Sequence, residues 1–180
     1  MDYKEYFSLI YQQIPEYVYE GGISVFFLGT VLLFCFAGAK KRKLYVARLL
    51  LLEYIALIYS STVIFRKTLS SAKITAPSVE NYEKIFEGGG IHIHPEMFIN
   101  VMVFALLGIL ICAAFRSLKW WQVLIAGCGI SVSIELLQYV LRRGTTEATD
   151  VFHNTLGCLI GIGVYKLISI AIQVFWNKEI

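Results

Sequence analysis

Two strongly apolar segments near the C-terminal end carry polar residues at helical spacing. The first contains Ser131, Glu135, Gln138 and Arg142, and the second contains Asp150, Asn154, Gly157 and Gly161. Residues three or four positions apart lie on one face of an α-helix. Only a short turn separates the segments, so the helices can run antiparallel with their polar faces in contact. We expect Asp150 to cap and begin the second helix. The spacing therefore predicts a polar centre at one end of a helix pair.

Glu135 and Asp150 are the candidates for acid–base catalysis in this centre, because a positioned carboxylate can exchange a proton with a substrate. Arg142 and Arg143 are candidate partners for these carboxylates and for an anionic group such as a phosphate. An ionisable group at the centre of a membrane span costs about 2.5–3.5 kcal/mol. Glu135 is therefore expected to face protein, water or a counter-charge. The alternative is that these polar side chains only hold the helices in register.

A third apolar segment adds to the centre. Glu96, Asn100, Phe104 and Gly108 recur at four-residue spacing, so Asn100 is expected to join the polar residues of the other two helices. The candidate ligand-binding residues are then Asn100, Glu135, Gln138, Arg142, Arg143, Asp150 and Asn154. The candidate helix-packing residues are Gly108, Gly157 and Gly161, because glycine lets a second helix approach closely.

The composition indicates that lipid is the solvent for much of the chain. The chain has 180 residues, of which 57% are hydrophobic and 16% charged. Soluble domains are about 45–50% apolar and about 25% charged. Five apolar stretches approach the roughly 20 residues that cross a bilayer as helix, and they cover residues 22–39, 44–65, 97–115, 121–141 and 151–175. The predicted fold is a single all-α domain, a polytopic membrane helical bundle of about five transmembrane helices.

The segments outside these spans carry weaker signals. Residues 1–20 mix aromatic and acidic residues and are predicted to lie at the membrane interface, with an ordered tail as the alternative. Residues 66–94 form a long loop in which Pro77 begins a short amphipathic helix. His92 and His94 are weak candidates for metal ligands, and incidental loop histidines are the more frequent case. No metal or other cofactor is expected.

The distribution of basic residues predicts an orientation. The run from Lys40 to Lys43 lies between two apolar stretches, which is typical of the cytoplasmic side of a span. The N-terminus and the loop 66–94 are then outside and the C-terminus inside. The formal net charge of +3 is small and spread along the chain, and it does not indicate a nucleic-acid partner.

The motifs together resemble those of the VanZ-like family. They are Asn100-x3-Phe104-x3-Gly108, the run Ser-x-Ser-Ile-Glu-Leu-Leu-Gln at 131–138, Arg143, and Thr-Asp-Val-Phe-His-Asn-Thr-Leu-Gly at 149–157 followed by Gly161. The resemblance covers roughly the C-terminal half. The family's recurrent polar residues match Asn100, Glu135, Gln138, Arg143, Asp150 and Asn154. The stretches 104–108 and 143–147 depart from the pattern usual in the family. The role of the loop 143–147 is therefore open.

The resemblance implies a multi-pass protein of a bacterial cytoplasmic membrane. The founding member of the family is associated with resistance to teicoplanin, a lipidated glycopeptide antibiotic. The leading hypothesis is a binding protein that takes an amphiphile, either a lipoglycopeptide or a lipid-linked wall precursor, at the outer leaflet. An enzyme that modifies such a lipid through Glu135 or Asp150 is the first alternative, and the sequence shows no evident nucleophile for it. A transporter or flippase, with a homodimer formed through Gly157 and Gly161, is the second.

Overall fold

Helices dominate the part of the chain that the computed structural model describes, which is residues 28–29, 39–75 and 95–176. Two strands of three residues each, β1 and β2, pair in parallel. The elements are, in chain order, α1 (Ala39–Tyr59), a π-helical turn (Ser60–Ile64), β1 (Lys73–Thr75), α2 (Pro95–Ala114), α3 (Trp120–Leu141), β2 (Thr145–Glu147) and α4 (Ala148–Trp176).

The predicted membrane bundle is confirmed. Within the described residues, four helices are long and apolar enough to cross a bilayer. They are Lys41–Ile64, Pro95–Ala114, Trp120–Leu141 and Ala148–Val174. The predicted fifth span, 22–39, lies almost wholly outside the described residues. So do the N-terminal segment, the loop helix that begins at Pro77, and both His92 and His94.

Two helix starts differ from the predictions. α1 begins at Ala39, so the basic run Lys40–Lys43 belongs to its first turns and not to a loop before it. Straight-chain Lys and Arg have good helix propensity, which favours this extension. α4 begins at Ala148, which places Asp150 in the first turn and not at the cap. An acidic side chain in the first turn is stabilised by the positive end of the helix dipole.

α2 and α4 make the closest helix contact. A Cβ atom added at Gly157 would lie 2.3 Å from the carbonyl oxygen of Val101, and one at Gly161 would lie 2.0 Å from that of Ala105. Gly108 on α2 faces the Cys158 carbonyl in the same way, at 2.6 Å. The glycine face of α4 is thus covered by α2 of the same chain. It does not leave the free surface that a homodimer through Gly157 and Gly161 requires.

α1 and α3 complete the packing around this pair. The Tyr54 hydroxyl on α1 donates to the Val103 carbonyl on α2 at 3.0 Å, and the Tyr59 hydroxyl contacts that of Ser133 on α3. Cys158 is fully buried against Gly127 of α3. Large apolar side chains such as Ile125, Val140 and Leu167 are instead exposed on the outer faces, as expected where lipid is the solvent.

Candidate functional site

A backbone clasp holds one end of the bundle together. β1, from the segment after α1, pairs with β2, from the connection between α3 and α4. The Leu69 amide donates to the Arg142 carbonyl at 2.7 Å, and Thr68 forms a bridge with Arg143. Because successive helices run in opposite directions, the end of α1, the start of α2, the end of α3 and the start of α4 lie together at the clasp. We call this the pocket end of the bundle.

The clasp brings Arg66 to the centre of this end. Gly144, in the α3–α4 connection, has a positive φ of 79°, and a Cβ atom there would lie 2.6 Å from Nη1 of Arg66. Glycine therefore has two roles at this position. It adopts a left-handed conformation without strain, and it leaves room for the guanidinium.

A pocket of about 110 Å³ opens at this end, and all the described residues that line it are polar. They come from the segment after α1, from α2, from β2 and from α4. The lining residues are Arg66, Glu96, Asn100, Thr145, Glu147 and Asp150. In a bundle whose remaining surface is largely apolar, four separate elements thus contribute charged or hydrogen-bonding groups to one small volume.

Glu135 and Asp150 lie close together, as the spacing predicts. The Glu135 carboxylate accepts the backbone N–H of Glu147 at 2.9 Å and is 7% exposed. Asp150 and Glu147 are its like-charge neighbours. The Asn100 amide lies within hydrogen-bonding reach of the Asp150 carboxyl. Arg66 is close enough to both Glu135 and Asp150 to attract them, so it supplies the counter-charge of the centre.

The polar faces of α3 and α4 meet one turn deeper. Nδ2 of Asn154 donates to Oγ of Ser131 at 2.8 Å, and both residues are buried. Gln138, in contrast, points toward α1, where its Nε2 donates to the Thr62 carbonyl at 2.9 Å. The expected proximity of the two polar faces is therefore observed for Glu135 with Asp150 and for Ser131 with Asn154. Gln138 belongs to a different contact, between α3 and the π-helical turn.

The two predicted arginines do not occupy the positions expected of them. Nη1 of Arg143 donates to the carbonyls of Val63 and Ile64 and so caps the end of the π-helical turn that follows α1. Arg142 ends α3 in the left-handed conformation, at φ 54°, and its exposed side chain does not line the pocket. Arg66 was missed because it lies more than 65 residues from either carboxylate in sequence. No spacing rule could connect it to them.

Two buried amide oxygens have no hydrogen-bond partner among the described residues. They are Oε1 of Gln138, which is 3% exposed, and Oδ1 of Asn154, which is 5% exposed. Both are acceptors, and each is one turn from a pocket-end carboxylate on its own helix. Within the described part of the chain, no group of three or more His, Cys, Asp or Glu side chains is arranged to hold a metal ion.

The fold and the pocket place this chain in the class of multi-pass helical membrane proteins, with a charged pocket at one end of its spans. The model of the VanZ/LLP1 family matches residues 25–169, and the chain belongs to this family, as the motifs predicted. It is similar to Protein VanZ of Enterococcus faecium, at 31% identity over 72 residues, or 40% of this chain. The chain spans about 45% of the length of that curated relative. No solved structure matches it.

Proposed function

We propose that this protein binds an amphiphile at the outer leaflet of a bacterial cytoplasmic membrane, and that this binding contributes to tolerance of a lipidated glycopeptide antibiotic such as teicoplanin. The observation that carries the proposal is the polar pocket at one end of an otherwise apolar bundle. Ligand sites combine a concave shape with a few convergent polar groups. In this pocket the polar groups of four elements converge.

The surroundings of the pocket suit an amphiphile. Phe98 and Met102 on α2 and Phe152 on α4 are each within two residues of a pocket-lining side chain, and all three are exposed. A head group in the pocket would therefore leave its acyl chain along apolar helix surface that lipid already covers. This arrangement favours a membrane amphiphile over a water-soluble ligand.

The charge distribution supports the outward placement of the pocket. The opposite end of the bundle carries the basic run at the start of α1, together with Arg116 and Lys119 in the connection between α2 and α3. Cytoplasmic loops are enriched in Lys and Arg. Among the described residues, six basic side chains lie at the opposite end and five at the pocket end, so the bias has the expected direction. The five are Arg66, Lys67, Lys73, Arg142 and Arg143.

The antibiotic part of the proposal rests on the family. The similar region of this chain and Protein VanZ covers 72 residues, and the VanZ-like family is associated through its founding member with teicoplanin resistance. An amphiphile is also the chemical type that a lipidated glycopeptide represents. A lipid-linked wall precursor, the other candidate ligand, has the same combination of head group and chain.

The test is the tolerance of a sensitive host that expresses the protein. Wild type is expected to raise the inhibitory concentration of a lipidated glycopeptide more than that of a lipid-free one. The double variant Glu147→Gln, Asp150→Asn is expected to lose this protection. Glu53→Gln is the matched control, because Glu53 is a half-buried carboxylate of α1 that does not line the pocket. Equal protection against both antibiotics, or none, would reject the proposal.

Catalysis is the alternative that the closeness of Glu135 and Asp150 favours. Two neighbouring carboxyl groups can act as a proton donor and acceptor. Mass spectrometry of membrane lipids and wall precursors would compare host cells that express wild type and Glu135→Gln. A product that is present with wild type and absent with the variant would show that the protein is an enzyme and not only a binding protein. Unchanged pools, with protection retained by wild type, support binding.

A further inference from the structure

We propose that the end of the bundle opposite the pocket binds one anionic phospholipid, whose phosphate is held by Arg48 and Lys41 of α1. This site is separate from the pocket, so it does not depend on the proposed function. Three observations support it. They are the fixed position of Arg48, a strip of exposed side chains on one face of α1, and the charge of this end of the bundle.

Arg48 is fixed at the level where α2 ends. Its Nε donates to the carbonyl of Ala114, the last residue of α2, at 3.3 Å. The carbon of its guanidinium lies 5.3 Å from the centre of the Phe115 ring. Arginine suits phosphate recognition because its planar guanidinium can stack on an aromatic ring and still donate hydrogen bonds at its edge.

Most of the hydrogen-bonding capacity of Arg48 is unused within the described part of the chain. A guanidinium has five N–H donors, and the bond to Ala114 uses one of them. The side chain is exposed, so the remaining donors are accessible to a ligand. Two parallel N–H groups of an arginine match two oxygens of a phosphate. A side chain whose position is already fixed loses less entropy when it binds.

Arg48 belongs to a strip of exposed residues on one face of α1. Lys41, Tyr45, Arg48 and Leu52 follow one another at spacings of four, three and four, and all four are exposed. This spacing places them within about 60° of one another around the helix. Lys41 lies seven residues, or about 10 Å, beyond Arg48, whereas Leu52 lies one turn deeper. The strip thus changes from charged to apolar along the helix, as a phospholipid does from head group to acyl chain.

The depth of Arg48 matches the boundary of the membrane. Trp120 and Trp121, which begin α3 just after the end of α2, are exposed, and tryptophan is enriched where bilayer meets water. Each interfacial layer is about 5–8 Å thick, so Arg48 and Lys41 together span the head-group region. Leu52 and Phe115 are exposed apolar surface beside Arg48, against which an acyl chain can lie.

The charge of this end favours a head group with net negative charge. Its exposed basic side chains are Lys41, Lys43, Arg48, Arg116 and Lys119. Of the acidic side chains that the structure describes, none lies at this end. Glu53, the described acid on α1, is five residues from Arg48 and about 140° around the helix. Phosphatidylcholine would bring its quaternary ammonium against these cations, whereas phosphatidylglycerol carries no positive charge.

The experiment uses the full chain, reconstituted in nanodiscs of phosphatidylglycerol and phosphatidylcholine in equal parts and released into detergent for native mass spectrometry. We expect each chain to retain one phosphatidylglycerol. Titration should show it to bind about tenfold more tightly than phosphatidylcholine, since a charge-assisted hydrogen bond is worth about that factor. Glycerol 3-phosphate, which has the phosphate without acyl chains, should not displace the lipid.

Variants identify the groups responsible. Arg48→Gln is expected to weaken phosphatidylglycerol binding about tenfold. Lys41→Gln should weaken it about fivefold, because one basic residue near an anionic surface contributes about that factor. Lys67→Gln is the matched control, since Lys67 is an exposed lysine at the pocket end and its loss should leave the affinity unchanged.

Two further measurements separate the site from general charge and from misfolding. Arg48→Lys keeps the charge but loses the planar guanidinium, so it should bind phosphatidylglycerol less tightly than wild type. Thermal unfolding in phosphatidylcholine nanodiscs checks that each variant folds. If Arg48→Gln does not fold, Lys41→Gln carries the test.

Four results would overturn the inference. The first is equal affinity for phosphatidylglycerol and phosphatidylcholine. The second is displacement by glycerol 3-phosphate, which would show that the ligand is a free phosphate and not a lipid. The third is full phosphatidylglycerol affinity in folded Arg48→Gln or Lys41→Gln. The fourth is a loss in Lys67→Gln as large as that in Lys41→Gln, because the net charge of the chain would then explain the binding without a site.

Discussion

Replacing Gly161 by alanine is expected to force α2 and α4 apart. The new methyl group would lie 2.0 Å from the Ala105 carbonyl oxygen, whereas ordinary van der Waals contact begins near 3.4 Å. The obstacle is backbone, which cannot rotate away as a flexible side chain does. The two helices must therefore separate locally by about 1 Å or more, and close-packed interiors do not absorb such shifts freely.

The cost follows from overpacking and from the contacts that separation removes. Overpacked sites typically lose about 1–3 kcal/mol, and the seam between α2 and α4 continues through Gly157 and Val101 to Asn100 and Asp150. We expect about 2–3 kcal/mol here because the clash is severe and lies on a continuous interface. With about 2–4 °C per kcal/mol for a chain of this length, the unfolding midpoint should fall by about 4–12 °C.

The assay is thermal unfolding of the purified chain in nanodiscs, with Gly163→Ala as the control. Gly163 is on the same helix two residues away, and a Cβ atom there meets nothing within 4 Å. The control should gain about 0.5–1 kcal/mol, because alanine is the better helix former. If Gly161→Ala unfolds at the wild-type temperature or above it, the close approach of α2 and α4 is refuted.

Three further predictions concern the polar contacts. Asn154→Ala should lower stability by about 1 kcal/mol, because it removes the hydrogen bond to Ser131. Such bonds between membrane helices contribute about that much. A shift below 1 °C in the thermal midpoint would contradict this. Arg143→Ala should speed amide exchange in the π-helical turn about tenfold, because a cap of about 1.4 kcal/mol is lost there. Unchanged exchange would show that the cap is dispensable. Glu135→Leu should lower stability by about 1–3 kcal/mol, because it leaves the part-buried Glu147 amide without its acceptor. Exchange at that amide should rise, and protection that persists there would refute the role of this bond.

The positions of the helices were predicted well from the hydropathy of the sequence. The spans predicted at 97–115 and 121–141 are observed at Pro95–Ala114 and Trp120–Leu141, because long apolar runs in lipid have no alternative to helix. The ends were less predictable. Ala148 begins α4 directly after β2, and only the pairing of β2 with a distant strand shows where the connection ends.

The site was predicted in part, and the errors have geometric causes. Glu135 and Asp150 meet because a short turn joins their helices, which is local information. Gln138 is three residues from Glu135 and so lies about 60° around the helix, on the side where α1 packs. Arg66 reaches the pocket only through the parallel pairing of β1 with β2, and three-residue strands without alternation give no sequence signal.

The tight union of α2 and α4 has a consequence for how the protein fits its bilayer. α4 has 29 residues, a rod of about 43 Å at 1.5 Å per residue, whereas the hydrocarbon layer is about 30 Å thick. α2, with 20 residues, matches that thickness. Because their backbones are locked together, a thinner or thicker membrane must tilt them as one body. The backbone clasp ties α1 and α3 to that body at the pocket end, so they can adjust to the membrane only toward the opposite end.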